Sequence, residues 1–267
     1  MKILFVGCGN MGAAIAAGAL RKIPGLALSV VDPDVARAQA LLPDDRVTFH
    51  ADITAVRDET FDATVLAIKP QMFHALPEDA LLAQGFGLVV SIMAGVTLAG
   101  LQHKLGHSRI VRTMPNLPAL VGAGMTVGYA APDLAAGDRP VVETLFAGSG
   151  QFAWLPEETL VDSATAVAGS GPGYVFAFAE HMIAAAQAVG LEAELADRLV
   201  RQTLLGAASL LHSDPRTAAE LKQAVTSKKG TTEAGLGVFE GPGGLPDLCR
   251  SGVAAARDRA QELSKAG

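Results

Sequence analysis

The sequence predicts an α/β fold, a doubly wound parallel sheet followed by an all-helical region. Three observations carry this. Short apolar runs recur up to about residue 156, each closed by Gly, Pro, Asp or Asn. Between most of them, apolar residues recur three and four apart. From about residue 160 onward the strand-like runs stop and only the helical spacing continues.

In chain order, "KILFV" (2–6) ends at Gly7 and reads as a buried parallel strand. "NMGAAIAAGALRK" follows with helical spacing and small residues. "ALSVVD" (27–32) is a second strand, closed by Asp32 and Pro33, and "DVARAQALL" is a helix. "ATVLAIKP" (63–70) is a strand stopped by Pro70. "GLVVSIMAG" (87–95), "RIVRTMPN" (109–116), "GMTVGYA" (124–130) and "GQFAWLP" (150–156) complete the set, with helices at "TLAGLQHKLG" and "DRPVVETLFAGSG". Beyond residue 160, Gly190, Pro215 and "GPGGLP" (241–246) break the pattern into four or more helices. The expected division is residues 1–158 and 159–267.

Composition narrows the function classes. The 267 residues are 50% apolar, which is ample for a core. A formal net charge of -6 argues against nucleic acid as a partner, because phosphate binding needs a basic face. Cys8 and Cys249 belong to no C-x-x-C or zinc pattern, so a reduced, cytoplasmic setting is expected, with no metal. The opening "MKILFVGCGNMG" has one basic residue and an apolar run, but the run is too short for a signal peptide. No stretch reaches the roughly 18 apolar residues of a membrane span. The alanine-rich helices after 160 are too thin a layer to bury their own apolar faces, so at least a dimer is expected there.

"GCGNMG" places Gly7, Gly9 and Gly12 in G-x-G-x-x-G spacing between a strand and a helix, the context of a Rossmann dinucleotide site. Gly7 makes the turn, Gly9 admits the pyrophosphate, and Gly12 lets helix and strand pack. Asn10 and Met11 lie between them, at the helix N-terminus where phosphate is favoured. Asp32 stands where an acid bonds a ribose 2′-hydroxyl, which favours NAD. It could equally cap a turn before Pro33, and Arg37 could pair with a 2′-phosphate, so NADH and NADPH both stay open.

An alcohol dehydrogenase needs an acid–base group. None is evident. His103 and His107 share a helix face without a carboxylate at helpful spacing, and His181 sits in an apolar helix. What remains is polar loops. Two lie at strand ends, "AIKPQ" (67–71) and "RTMPN" (112–116), where ligands of open α/β sheets bind. Two more lead into helices, "AGSGPGY" (168–174) and "TSKKGTT" (226–232).

These segments, with "GQFAW", come in the order and at about the spacing seen in pyrroline-5-carboxylate reductases, which the whole chain resembles. The resemblance implies reduction of 1-pyrroline-5-carboxylate to proline with NADPH or NADH. It implies a Rossmann domain and a helical domain that forms a homodimer or a larger ring of dimers. It places the Thr232 hydroxyl near the imine nitrogen as the catalytic group. It places Ser227, Gly230, Thr231 and Thr232, with Ser170 and Gly171, around the substrate. Backbone N–H groups of Gly230, Thr231 and Thr232 are expected to hold its carboxylate. Ala67, Lys69, Pro70 and Asn116 are expected to join the glycine loop around the cofactor.

The match departs in two places. The family reads Ser-Pro-Gly-Gly-Thr-Thr where this chain has Ser227, Lys228, Lys229, Gly230, Thr231, Thr232, and Gly173 replaces an alanine. If the position of Lys229 needs a positive φ, its side chain costs on the order of 1 kcal/mol or more. Three alternatives follow. One is a related cyclic imine acid as substrate. Another is a β-hydroxyacid dehydrogenase-like enzyme, for which Lys222 is the only mid-helix lysine candidate. The last is a nucleotide-binding regulator without catalysis.

Overall fold

The computed structural model describes residues 1–76 and 85–266. Gly267, the end of the expected helical region, lies outside the described residues. The chain divides into two compact units, Met1–Ser170 with Ala256–Gly267, and Gly171–Ala255.

The first unit alternates strands and helices. They are β1 (Lys2–Val6), α1 (Asn10–Lys22), β2 (Ala27–Val31), α2 (Val35–Leu41), β3 (Val47–His50), β4 (Ala63–Leu66), α3 (Pro70–Ala75), β5 (Leu88–Ser91), α4 (Leu98–Leu105), β6 (Ile110–Met114), β7 (Gly124–Ala130), α5 (Asp138–Phe146) and β8 (Gly150–Trp154). The sheet order is β3-β2-β1-β4-β5-β6-β7-β8. β1 pairs in parallel with both β2 and β4, so the order reverses at β1 and a crevice opens beyond its C-terminal end.

Alternation along β1 feeds two core layers. Ile3 and Phe5 pack with Ala16 and Leu20 of α1 and Phe146 of α5. Leu4 and Val6 point the other way, with Phe73, Leu101 and Leu105. Strands covered on both faces read as continuous apolar runs, which is why β1, β4 and β5 stand out in the sequence. Each fully buried side chain of this kind contributes roughly 1.5–3 kcal/mol.

Two features differ from expectation. β3 was not expected, because "VTFH" is a short strand at the sheet edge with two apolar residues. And β7 runs antiparallel to β6, with Val111 opposite Ala130 and Met114 opposite Val127. Only residues 115–123 join the two strands, including a 3₁₀ turn at Leu117–Val121. A parallel crossover needs about a dozen residues or more, so the chain reverses instead. β8 returns parallel to β7 through α5.

A helical run then follows from α6 (Leu160–Ala164) through one π turn at Thr165–Gly169 into α7 (Gly171–Ala188). The rest is α8 (Ala193–Ser213), α9 (Ala218–Ala224), α10 (Thr231–Phe239) and α11 (Leu245–Ala266). The breaks fall at Gly190, Pro215 and "GPGGLP" as expected, with positive φ at Gly190 and Gly243. Within the second unit α7, α9 and α10 bury no residue, and α8 buries only Ala196 and Val200. No described helix is long and apolar enough to cross a membrane.

Candidate active site

The crevice beyond β1 begins at Gly7. Its φ is 94°, and its N–H donates to Val31 O at 2.8 Å, tying the turn to β2. A Cβ on Gly7 would lie 2.7 Å from Ala67 O, so the loop after β4 closes on this turn only because the position is glycine. A Cβ on Gly12 would lie 3.0 Å from Gly7 O and 3.1 Å from the Ala67 Cβ. At Gly9 the space is open, with nothing within 4 Å. Close packing at two glycines and free room at the middle one is the shape a pyrophosphate needs. No side chain caps α1, and its first turn carries no acid. The N–H groups of the first turn and the positive end of the helix are therefore left for an anion. The residues present fit a dinucleotide.

Asp32 follows β2 and is buried. Its Oδ2 accepts the Cys8 N–H at 2.8 Å and its Oδ1 the Asp34 N–H at 2.9 Å. Arg37 Nη2 approaches Oδ2 at 3.4 Å. Cys8, inside the glycine turn, has its thiol pushed up to about 11, first by burial and then by the Asp32 charge. It is a neutral thiol at physiological pH.

Ala67 continues from β4, donating its N–H to Val6 O at 2.8 Å. Lys69 is exposed at the N-cap of α3, and Pro70 opens the helix at a position where no N–H is needed. Asn116 is buried after β6, with its amide bonded at both ends. Nδ2 donates to Ala168 O at 2.9 Å and Oδ1 accepts the Met125 N–H at 2.8 Å. It thus clasps the π turn that leads into Ser170 and Gly171. Ser170 donates its N–H to Thr165 O at 2.9 Å, closing that turn. Single π turns of this kind gather at functional sites.

The "TSKKGTT" loop belongs to the second unit. Gly230 is the N-cap of α10, and no side chain caps this helix. The Gly230 N–H donates to Ser227 O at 2.9 Å, so it is not free for a carboxylate as expected. The N–H groups of Thr231 and Thr232, in the first turn of α10, face no side-chain cap. A Cβ on Gly230 would lie 2.9 Å from the Ser227 backbone O and 2.3 Å from its Oγ, which favours glycine there. Lys229 has φ 60°, the one positive φ among the described non-glycine residues. Its N–H donates to Glu233 Oε2 at 2.6 Å, which holds the turn against the helix.

The chain is 35% identical over 268 residues to the pyrroline-5-carboxylate reductase of Pseudomonas aeruginosa, a match that covers 99% of this chain and 97% of the relative. The chain belongs to the pyrroline-5-carboxylate reductase family. The family model for pyrroline-5-carboxylate reductase dimerisation matches residues 158–263, and that for coenzyme F420-dependent NADP oxidoreductase matches residues 2–95. The solved pyrroline-5-carboxylate reductase of Coxiella burnetii superposes with a TM-score of 0.88 at 32% identity, covering 98% of each chain. That of Plasmodium falciparum, solved with NADP bound, gives 0.83 at 26% identity, covering 99% of this chain and 98% of the other.

One buried polar group escaped sequence reasoning. Arg112 of β6 is buried and bonds Glu158 Oε1 at 3.0 Å, Asp162 Oδ1 at 3.2 Å and Ser264 Oγ at 3.2 Å. It pins the strand end before Asn116 to α6 and to the last turn of α11. The available signal was the second arginine of "RIVRTM", a cation inside an apolar run, which requires partners once buried. Among the described residues no three His, Cys, Asp or Glu side chains gather as a metal site.

Proposed function

We propose that this chain reduces the C=N bond of 1-pyrroline-5-carboxylate to L-proline with NADH or NADPH, the final step of proline biosynthesis. The observation that carries this is kinship along the whole chain, to a family whose members are oxidoreductases of this one type. The site residues are assigned as follows. Gly7, Gly9, Asn10, Met11 and Gly12 hold the pyrophosphate, and Asp32 holds the adenosine ribose. Ala67, Lys69, Pro70 and Asn116 border the nicotinamide side, Asn116 mainly by clasping the π turn. Ser227, Gly230, Thr231 and Thr232, with Ser170 and Gly171, bind substrate. Bound nicotinamide supplies the hydride to the imine carbon. The Thr231 and Thr232 N–H groups hold the substrate carboxylate at the start of α10. The imine nitrogen takes its proton from water to form the iminium, whose N–H donates to the Thr232 hydroxyl oxygen, and hydride addition at the carbon then leaves the neutral amine. An imine is basic enough to react as an iminium, so no histidine is required.

The lysine-dependent alternative is weakened by Lys222, whose ammonium is already paired with Glu240. The lapsed-regulator alternative is weakened by Lys229, which adopts the backbone angle suited to the family's glycine. By the same reading, residues 1–158 serve as the dinucleotide domain. Residues 159–267 serve as the substrate and dimerisation domain of a cytoplasmic homo-oligomer that binds neither nucleic acid nor membrane. The deciding experiment is NADH or NADPH oxidation on addition of pyrroline-5-carboxylate. Folded protein that binds nucleotide but turns over neither cofactor would refute the assignment.

A further inference from the structure

We infer that Asp32 makes this enzyme select NADH over NADPH. The inference rests on the nucleotide-binding reading above and decides which nucleotide that site takes. The carboxylate is fixed from two sides, by the Cys8 N–H on Oδ2 and the Asp34 N–H on Oδ1, and its side chain is 7% exposed. Cys8 stands between Gly7 and Gly9, so one of these bonds locks the acid to the loop assigned to the pyrophosphate. A dinucleotide seated on that loop brings its adenosine ribose to the end of β2. Oδ1 accepts one bond from the protein and retains acceptor capacity for a hydroxyl donor.

A 2′-phosphate meets the same carboxylate as a charge of the same sign, close to two units at neutral pH. Asp32 cannot turn away, because its departure strands the Cys8 and Asp34 N–H groups. Arg37 is the one residue of this turn that could compensate. Its side chain is 54% exposed, but two acids already share its guanidinium, Asp32 at 3.4 Å and Asp34 at 3.8 Å. Asp34 also accepts the Arg37 backbone N–H at 3.1 Å, as the N-cap of α2. Asp32, Asp34 and Arg37 together carry one net negative charge. For a phosphate to recruit Arg37, it must take the guanidinium from Asp32 and then face the bare carboxylate.

The test is calorimetric titration of the full-length protein with NADH and NADPH separately. The wild type is expected to bind NADH at least about tenfold more tightly. Asp32→Ser is expected to weaken NADH and to tighten NADPH, because Arg37 is then released to the phosphate. Asp32→Asn removes the charge but keeps an acceptor for Cys8, so it guards against loss of the turn, and the ratio must move the same way. Equal or tighter binding of NADPH by the wild type overturns the inference. So does a uniform weakening of both nucleotides in both variants, the mark of an acid that only caps the turn. Binding of neither nucleotide by folded wild type rejects the dinucleotide reading itself. A clear NADH preference without turnover of pyrroline-5-carboxylate rejects the proposed reaction and upholds the role of Asp32.

Discussion

Thr232 and Lys229 sit three residues apart and separate chemistry from strain. Thr232 carries the only hydroxyl assigned to the imine nitrogen. Thr232→Ala should lower kcat by roughly 10²-fold while nucleotide affinity, measured by titration, stays unchanged. Unchanged kcat would remove Thr232 from the chemistry. Lys229 holds φ 60° with a side chain where the family carries glycine. Lys229→Gly should raise the free energy of urea unfolding by about 1 kcal/mol, since the Glu233 carboxylate bonds its backbone N–H and not its side chain. No gain would mean that the turn carries no strain. The local features here were legible because each depends on a few neighbouring backbone angles: the turn at Gly7, the acid after β2, the glycine at the start of α10. Arg112 was not, because its partners Glu158, Asp162 and Ser264 lie 46, 50 and 152 residues away. Only packing brings them together. The same holds for the bond from Asn116 to Ala168, 52 residues away.

Among elements, those buried on both faces announced themselves. β1, β4 and β5 are mostly apolar runs, whereas β3 lies at the edge and gives no comparable signal. The direction of β7 was hidden because a strand's residues do not encode its polarity in the sheet. The length of the preceding connection does. How α5 is held shows a further link. Asp138, in its first turn, accepts Arg109 Nε at 2.8 Å and the Ala135 N–H at 2.8 Å, and so ties α5 to the start of β6. The hydrogen bonds from Arg109, foremost, hold the Asp138 carboxyl below its ordinary range. Asp44 and Asp214 are likewise held down to about 2, chiefly by side-chain bonds to Arg46 and Arg216. A carboxyl with a lower pKa in the folded state stabilises the fold above its unfolded pKa. It loses that contribution as pH falls through the folded value. The urea midpoint should therefore hold on descending to about pH 4 and fall between about pH 4 and 2. Asp138→Asn should lower the midpoint at neutral pH and reduce the slope in that acid range. An unaltered slope would show that the Arg109–Asp138 link does not couple protonation to folding.

At the scale of the molecule, the helical unit is short of things to bury. Phe176, Leu205, Val238 and Leu248 are 57%, 62%, 80% and 63% exposed, and α7 buries nothing. Large contiguous apolar surface on a stable protein marks a contact with another chain. The match to a dimerisation family over residues 158–263 covers these positions. That the helices lacked internal partners was readable from their alanine-rich composition, since a thin layer of such helices has no second layer to pack on. What meets them was not readable, because the partner surface is not written into the spacing of one chain. Light scattering should give a mass of at least twice the 27.4 kDa of one chain at micromolar concentration. Because association stabilises the folded state by mass action, Tm should rise when protein concentration is raised tenfold. Leu205→Glu together with Phe176→Glu should shift the mass toward one chain, lower Tm and abolish its dependence on concentration. The glycine turn and Asp32 lie in the other compact unit, so nucleotide binding by that variant should persist. A wild-type mass of one chain, with a Tm indifferent to concentration, would mean that these apolar faces are stable in water and that the helical unit does not dimerise.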